Sequence, residues 1–109
     1  MVTKILNKAN VKHRESRYTA KPLPETYAVW FDDREAGGAD GVNVQIEHNY
    51  TIELYESKPD PVTEAAIEKA LDEAGLEWSS QARYWIQEEQ RYQVIYEFNY
   101  IEKRRITNG

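Results

Sequence analysis

The sequence contains no cysteine. That excludes a disulfide scaffold, a cysteine nucleophile, a zinc ribbon and a cysteine-ligated iron–sulfur cluster. Histidine is limited to His13 and His48, which leaves little on which to build a histidine-based metal or catalytic centre. The longest apolar run, Tyr27 to Phe31 with its neighbours, falls far short of the ~20 residues a membrane-spanning helix needs, and nothing reads as a signal peptide. Gly37, Gly38 and Gly41 form no phosphate loop, since no lysine follows at the required spacing. A Gly-x-Ser-x-Gly elbow is missing, and Ser16, Ser57, Ser79 and Ser80 stand in no nucleophile context.

What is present is a 109-residue chain, 40% hydrophobic, 30% charged and 12% aromatic. The length fits one domain, and the apolar content is too high for a disordered chain. These features point to a soluble, intracellular, single α+β domain that is not an enzyme and has no cofactor. The net charge of −5 hides an asymmetry. Residues 1–24 carry +5, residues 25–102 carry −13 and residues 103–109 carry +3. The expected organisation is a basic N-terminal helix or arm (1–24), an α+β core (25–102) and a basic C-terminal tail (103–109). An acidic body disfavours nucleic acid as a ligand, because such affinity comes mainly from neutralising phosphates. The basic ends are either solvated arms or contacts for the acidic body of another copy.

Residues 42–55 give the clearest structural signal. Val42, Val44, Ile46, His48, Tyr50, Ile52 and Leu54 occupy the even positions and mainly polar residues the odd ones. This is a strand with one buried face, longer than the usual five or six residues. A second strand is expected at about 91–102, with Tyr92, Val94, Tyr96, Phe98 and Tyr100 on one face. A third covers about 26–32 and is apolar on both faces; a weaker one lies at about 82–87. Residues 33–41 read as a projecting loop. Asp60, Pro61 and Glu64 mark the start of a helix, Val62, Ala66, Ile67, Ala70, Leu71 and Ala74 its apolar face, and Gly75 its end. A short helix is expected over 2–10, followed by an extended arm or an edge strand. The expected fold is α+β: an antiparallel sheet of about four strands with one main helix on one face.

His48, on the apolar row, reads as a satisfied core or interface side chain. Asp32, Asp33, Glu35 and Asp40 cluster in the first loop, but their spacing does not match a helix–loop–helix calcium site. Glu56, Asp60, Glu64, Glu68, Asp72, Glu73 and Glu77 make either a solvated helix face or a docking surface. Trp30, Trp85, Tyr55, Ile95 and Ile101 fall on the row opposite the presumed core, which points to a protein interface. Asp33, Arg34, Glu35 and Asp40 of the projecting loop join that candidate interface. Stacking on single-stranded nucleic acid is the rival use of such aromatics, but acids rather than bases are interleaved with them.

The succession TYAVWFDD, a Gly/Ala/Asp loop, VNVQIEHNYTIELYESKPDP, a helix ending EAGLEW and then RYQVIYEFNYI resembles the small tail-completion or tail-terminator-like proteins of long-tailed bacteriophages and prophages. The resemblance covers residues 22–102 and rests on strand and turn patterns, with no catalytic signature. It implies a structural subunit that forms a ring, usually a hexamer, at the head-proximal end of the tail. The implied partners are other copies of the chain, the tail tube protein and the head–tail connector, with no specific nucleic acid and no membrane. The implied location is the virion neck, after assembly in the host cytoplasm. The alternative is a small cellular adaptor or regulatory domain that binds a protein through its exposed strand face.

Overall fold

From Asn43 on, the alternating stretch becomes the central strand of a six-stranded sheet. The computed structural model describes residues 1–39 and 43–105. In chain order the elements are α1 (Val2–Lys8), β1 (His13–Glu15), β2 (Thr26–Ala39), β3 (Asn43–Glu56), α2 (Pro61–Glu73), β4 (Trp78–Ser80), β5 (Tyr84–Ile86) and β6 (Arg91–Arg105). The sheet runs β1-β2-β3-β6-β4, and β5 also pairs with β6. Among the described residues, only β1 is parallel to its neighbour. The fold is therefore α+β, with more strands than the four expected and both helices on one face.

The hydrophobic row of β3 dictates that face. Ile52 pairs with Trp30 on one side and Tyr96 on the other, and Leu54 with Ala28 and Val94. Residues opposite one another across a ladder share a face, so the even-numbered residues of all three long strands point the same way. Val2, Ile5 and Leu6 of α1 and Ile67, Ala70 and Leu71 of α2 close over them to form the core. The α2 boundaries follow the sequence signals. The Asp60 carboxylate accepts from the Thr63 backbone N–H at 3.0 Å. At the other end Gly75, at φ +73°, and Leu76 donate to the carbonyls of Asp72 and Leu71, the two bonds of a Schellman cap. Val62, expected on the apolar face, is 79% exposed instead; the buried stripe lies on the next turn, where Ile67, Ala70 and Leu71 meet the sheet.

The strands outrun the helices. The core ends near Tyr50 and Phe98, while β2, β3 and β6 continue to Ala39, Asn43 and Arg105, and the molecule measures 50 × 27 × 21 Å. Residues 33–39, expected as loop, are strand: β2 stays paired with β3 to Ala39, with a bulge between Gly37 and Ala39. Their composition disfavours strand, but the ladder offered by β3 overrides it. Residues 103–105, expected in a tail, continue β6 opposite Gln45, Val44 and Asn43. The N-terminal stretch is not a loose arm, because α1 packs into the core and β1 extends the sheet beside Ala28, Val29 and Trp30.

Candidate interaction surface

Two faces and a projecting tip offer the chemistry of this protein. On the helix-side face, just beyond the core, the ladder brings Asp32, His48 and Glu102 into a row. His48 is buried, with Nδ1 at 3.0 Å from both Asp32 carboxylate oxygens and Nε2 at 2.8 Å from Glu102 Oε1. Both nitrogens act as donors together only in the doubly protonated ring. The imidazole stacks on Tyr50 at 5.2 Å. Arg34 pairs with Asp32 and Arg104 with Glu102, at 3.2 and 2.5 Å. The arginine and the histidine hold the Glu102 carboxyl below its usual range. The imidazole separates the two carboxylates, so the three groups do not converge on a cation; among the described residues no metal-binding cluster occurs.

The body end of the second face is sealed by the chain itself. Tyr18, from the connection between β1 and β2, lies 5.0 Å from Tyr27, which stacks on Tyr55 at 5.2 Å. The Arg91 guanidinium sits over the Tyr27 ring and donates to the Glu25 carbonyl. Tyr55 donates to Glu53 and accepts from Gln93, which also accepts from Tyr84. Burial, then the Glu53 hydrogen bond, raises the Tyr55 phenol well above its ordinary value. This layer leaves Tyr27, Val29 and Gln93 buried.

Under α2 lies a buried acid. Glu56 continues the even row of β3 and is fully buried, with neither carboxylate oxygen hydrogen-bonded among the described residues. Arg83 Nε stands 3.4 Å away and makes a closer two-pronged bond to Glu64 at 2.8 and 2.9 Å. Burial, followed by the neighbouring Glu64 carboxyl, pushes the Glu56 group from 4.5 up to about 8. The acids read as either a solvated face or a docking surface make many bonds within the chain: Asp60 caps α2, Glu68 accepts from Tyr96, Asp72 accepts from Trp78, and Glu73 pairs with Lys8 and Lys69.

A solved virion chain shares this architecture. It belongs to the structure described as the virion of a native gene transfer agent (GTA) particle, with a TM-score of 0.62 over 92% of this chain and 84% of that chain, at 12% sequence identity. At that identity the likeness is one of fold alone. No family model matches the chain, and no curated protein matches its sequence.

The fold redistributes the expected interface residues. Trp30 lies on the helix-side face, half-buried against the core, its Nε1 buried without a hydrogen-bond partner. Trp85 pairs with Tyr92, so it shares the helix-side row; it is 43% exposed and packs edge-on to Tyr92 at 5.0 Å. The two tryptophans therefore do not lie opposite the core as expected. On β2 both rows are apolar, and only the register with β3 decides that Ala28 and Trp30 face the helices. Tyr55, Ile95 and Ile101 do lie on the second face, but Tyr55 is half-buried beneath Tyr27. Asp33 and Glu35 point to that face and are exposed, whereas Arg34 points to the other. Asp40 lies outside the described residues. Asp32 and Asp33 sit on opposite faces of β2, which breaks up the acidic cluster read in this stretch. His13 Nε2 lies 2.8 Å from the Asn7 side-chain oxygen. The Asp32–His48–Glu102 row and buried Glu56 went unread; their shared even parity was visible, but their pairing needs the register.

Proposed function

We propose that this protein is a structural subunit of a tailed phage or phage-like particle, and that copies of it form a ring at the head-proximal end of the tail, where tail tube and head connector meet. The observation that carries the reading is the three-stranded tip. Strands of 14 and 15 residues extend past the helices that stabilise them, and a lone folded domain gains nothing from such an extension. Long, charged, partly uncovered strands suit contacts with neighbouring subunits. The gene transfer agent likeness supports the same class of role, because that neighbour is a virion chain. The amphipathic row and turn pattern, which resembles that of tail-completion proteins, supports the neck as its place.

The test is electron microscopy of particles made with and without this protein. Particles lacking it are expected to show heads separated from tails, or tubes of uncontrolled length, and added purified protein restores joined particles. Normal particles in its absence would overturn the reading.

A further inference from the structure

The tip has two open edges of opposite charge. Among the described residues, β1 pairs with β2 only up to Trp30, and β4 pairs with β6 only up to Phe98. Beyond those points the outer edge of β2 (Phe31–Glu35) carries three acids and one base, and the outer edge of β6 (Asn99–Arg105) three bases and one acid. On the helix-side face these charges are used within the chain, Arg34 with Asp32 and Arg104 with Glu102. On the second face they are not. Asp33 and Glu35 on one edge, and Lys103 and Arg105 on the other, are exposed and have no ion-pair partner among the described residues. Glu35 even stands directly opposite Glu47, a like-charge pairing that costs stability.

We propose that copies of this chain associate head to tail through these edges, the basic β6 edge of one copy against the acidic β2 edge of the next. Within one chain Asp33 is level with Asn99, and Glu35 with Ile101. Advancing the neighbour by four residues towards the tip, roughly 13 Å, sets its Asp33 against Lys103 and its Glu35 against Arg105. The same step sets Phe31, 38% exposed, against Ile101, 52% exposed. An even step keeps every side chain on its own face. One displacement therefore satisfies two charge pairs and covers two exposed apolar side chains. It also gives Glu35 a cation to offset Glu47. The contact is confined to Phe31–Glu35 and Ile101–Arg105, because β1 and β4 occupy the edges nearer the body and the two sheets must diverge there. Edges that each carry one predominant sign repel their own kind and discourage two-fold pairing, while their opposition favours a heterologous contact that repeats into a ring or a filament.

The inference deepens the proposed ring but is tested separately from the virion role. The double variant Lys103→Glu/Arg105→Glu has two acidic edges, and Asp33→Lys/Glu35→Lys has two basic ones. Light scattering of the full-length protein at low salt should show wild-type oligomers that dissociate as salt rises. Each double variant alone should be monomeric, and their equimolar mixture should recover the wild-type mass by alternating around the assembly. A wild type monomeric at every salt and concentration overturns the proposal, as do double variants that assemble like the wild type or a mixture that fails to recover. Because the chain has no cysteine, Asp33→Cys mixed with Lys103→Cys gives a check that keeps the other edge charges. A short thiol cross-linker should join the two variants to each other and neither to itself. Failure of these assays leaves the particle micrographs to decide the virion role.

Discussion

The sharpest physical consequence concerns Glu56. Its carboxyl is fully buried under α2, and burial together with the adjacent Glu64 moves it from 4.5 to about 8. Below pH 4.5 the group is protonated both folded and unfolded, and pH does not discriminate. Between 4.5 and about 8 the folded protein retains a proton that the unfolded chain has released, so raising the pH favours unfolding. Above that range both forms are ionised and the loss is complete. One proton sets the limit at ~1.4 kcal/mol per pH unit, or at most ~2.7 kcal/mol between pH 5 and pH 7. The perturbation is Glu56→Gln, which keeps the side chain's size and shape and cannot ionise. The assay is urea unfolding of both proteins at pH 5, 6, 7 and 8. The stability of Glu56→Gln relative to wild type should climb steadily with pH. Comparing the two cancels other titrating groups. His13 is one, held below its usual range by burial and then by Arg14; it acts in the opposite direction, since its neutral form is favoured in the fold. A stability difference that stays flat from pH 5 to pH 8 would refute the reasoning.

Three further outcomes follow from burial and backbone geometry. Ile52→Ala removes a fully buried side chain between Trp30 and Tyr96 and should cost about 2–4 kcal/mol in denaturant unfolding. Trp30→Ala should also lower stability, by about 2–4 kcal/mol, whereas Trp85→Ala should cost under about 1 kcal/mol; equal losses would contradict their different burial. Gly75→Ala meets no steric contact within 4 Å, but the residue holds φ +73°, so the expected cost is about 1 kcal/mol from backbone strain alone, read as a lower thermal midpoint.

The parts of the fold legible in the sequence were those with one-sided chemistry. The β3 row alternates so regularly that its buried face could have only one parity. Helix α2 carries a cap, a proline and a closing glycine, each a local requirement of helix ends. The β2 strand was harder on two counts. Tyr27, Val29, Ala28 and Trp30 leave its parity undetermined, and Asp33 to Gly38 read as loop because their stability comes from β3 and not from their own preferences. The short strands β1 and β4 carry almost no periodicity and exist because longer strands present open edges. The site residues were obscured for a related reason. The bonds from Arg83 to Glu64, from His48 to Asp32 and Glu102, and from Asn99 to Glu47 span 16 to 54 residues, and no local pattern announces a partner so remote.

The flanking of β3 by a full ladder on either side has a mechanical consequence. Its hydrogen bonds lie across the strand direction, so tension along the tip loads both ladders at once, while a force normal to the sheet meets only the thinness of a single uncovered layer. The tip is accordingly expected to resist stretching more than bending beyond Tyr50 and Phe98, where the core ends. A projection with that anisotropy transmits axial strain into the body yet tilts to fit a neighbour's angle.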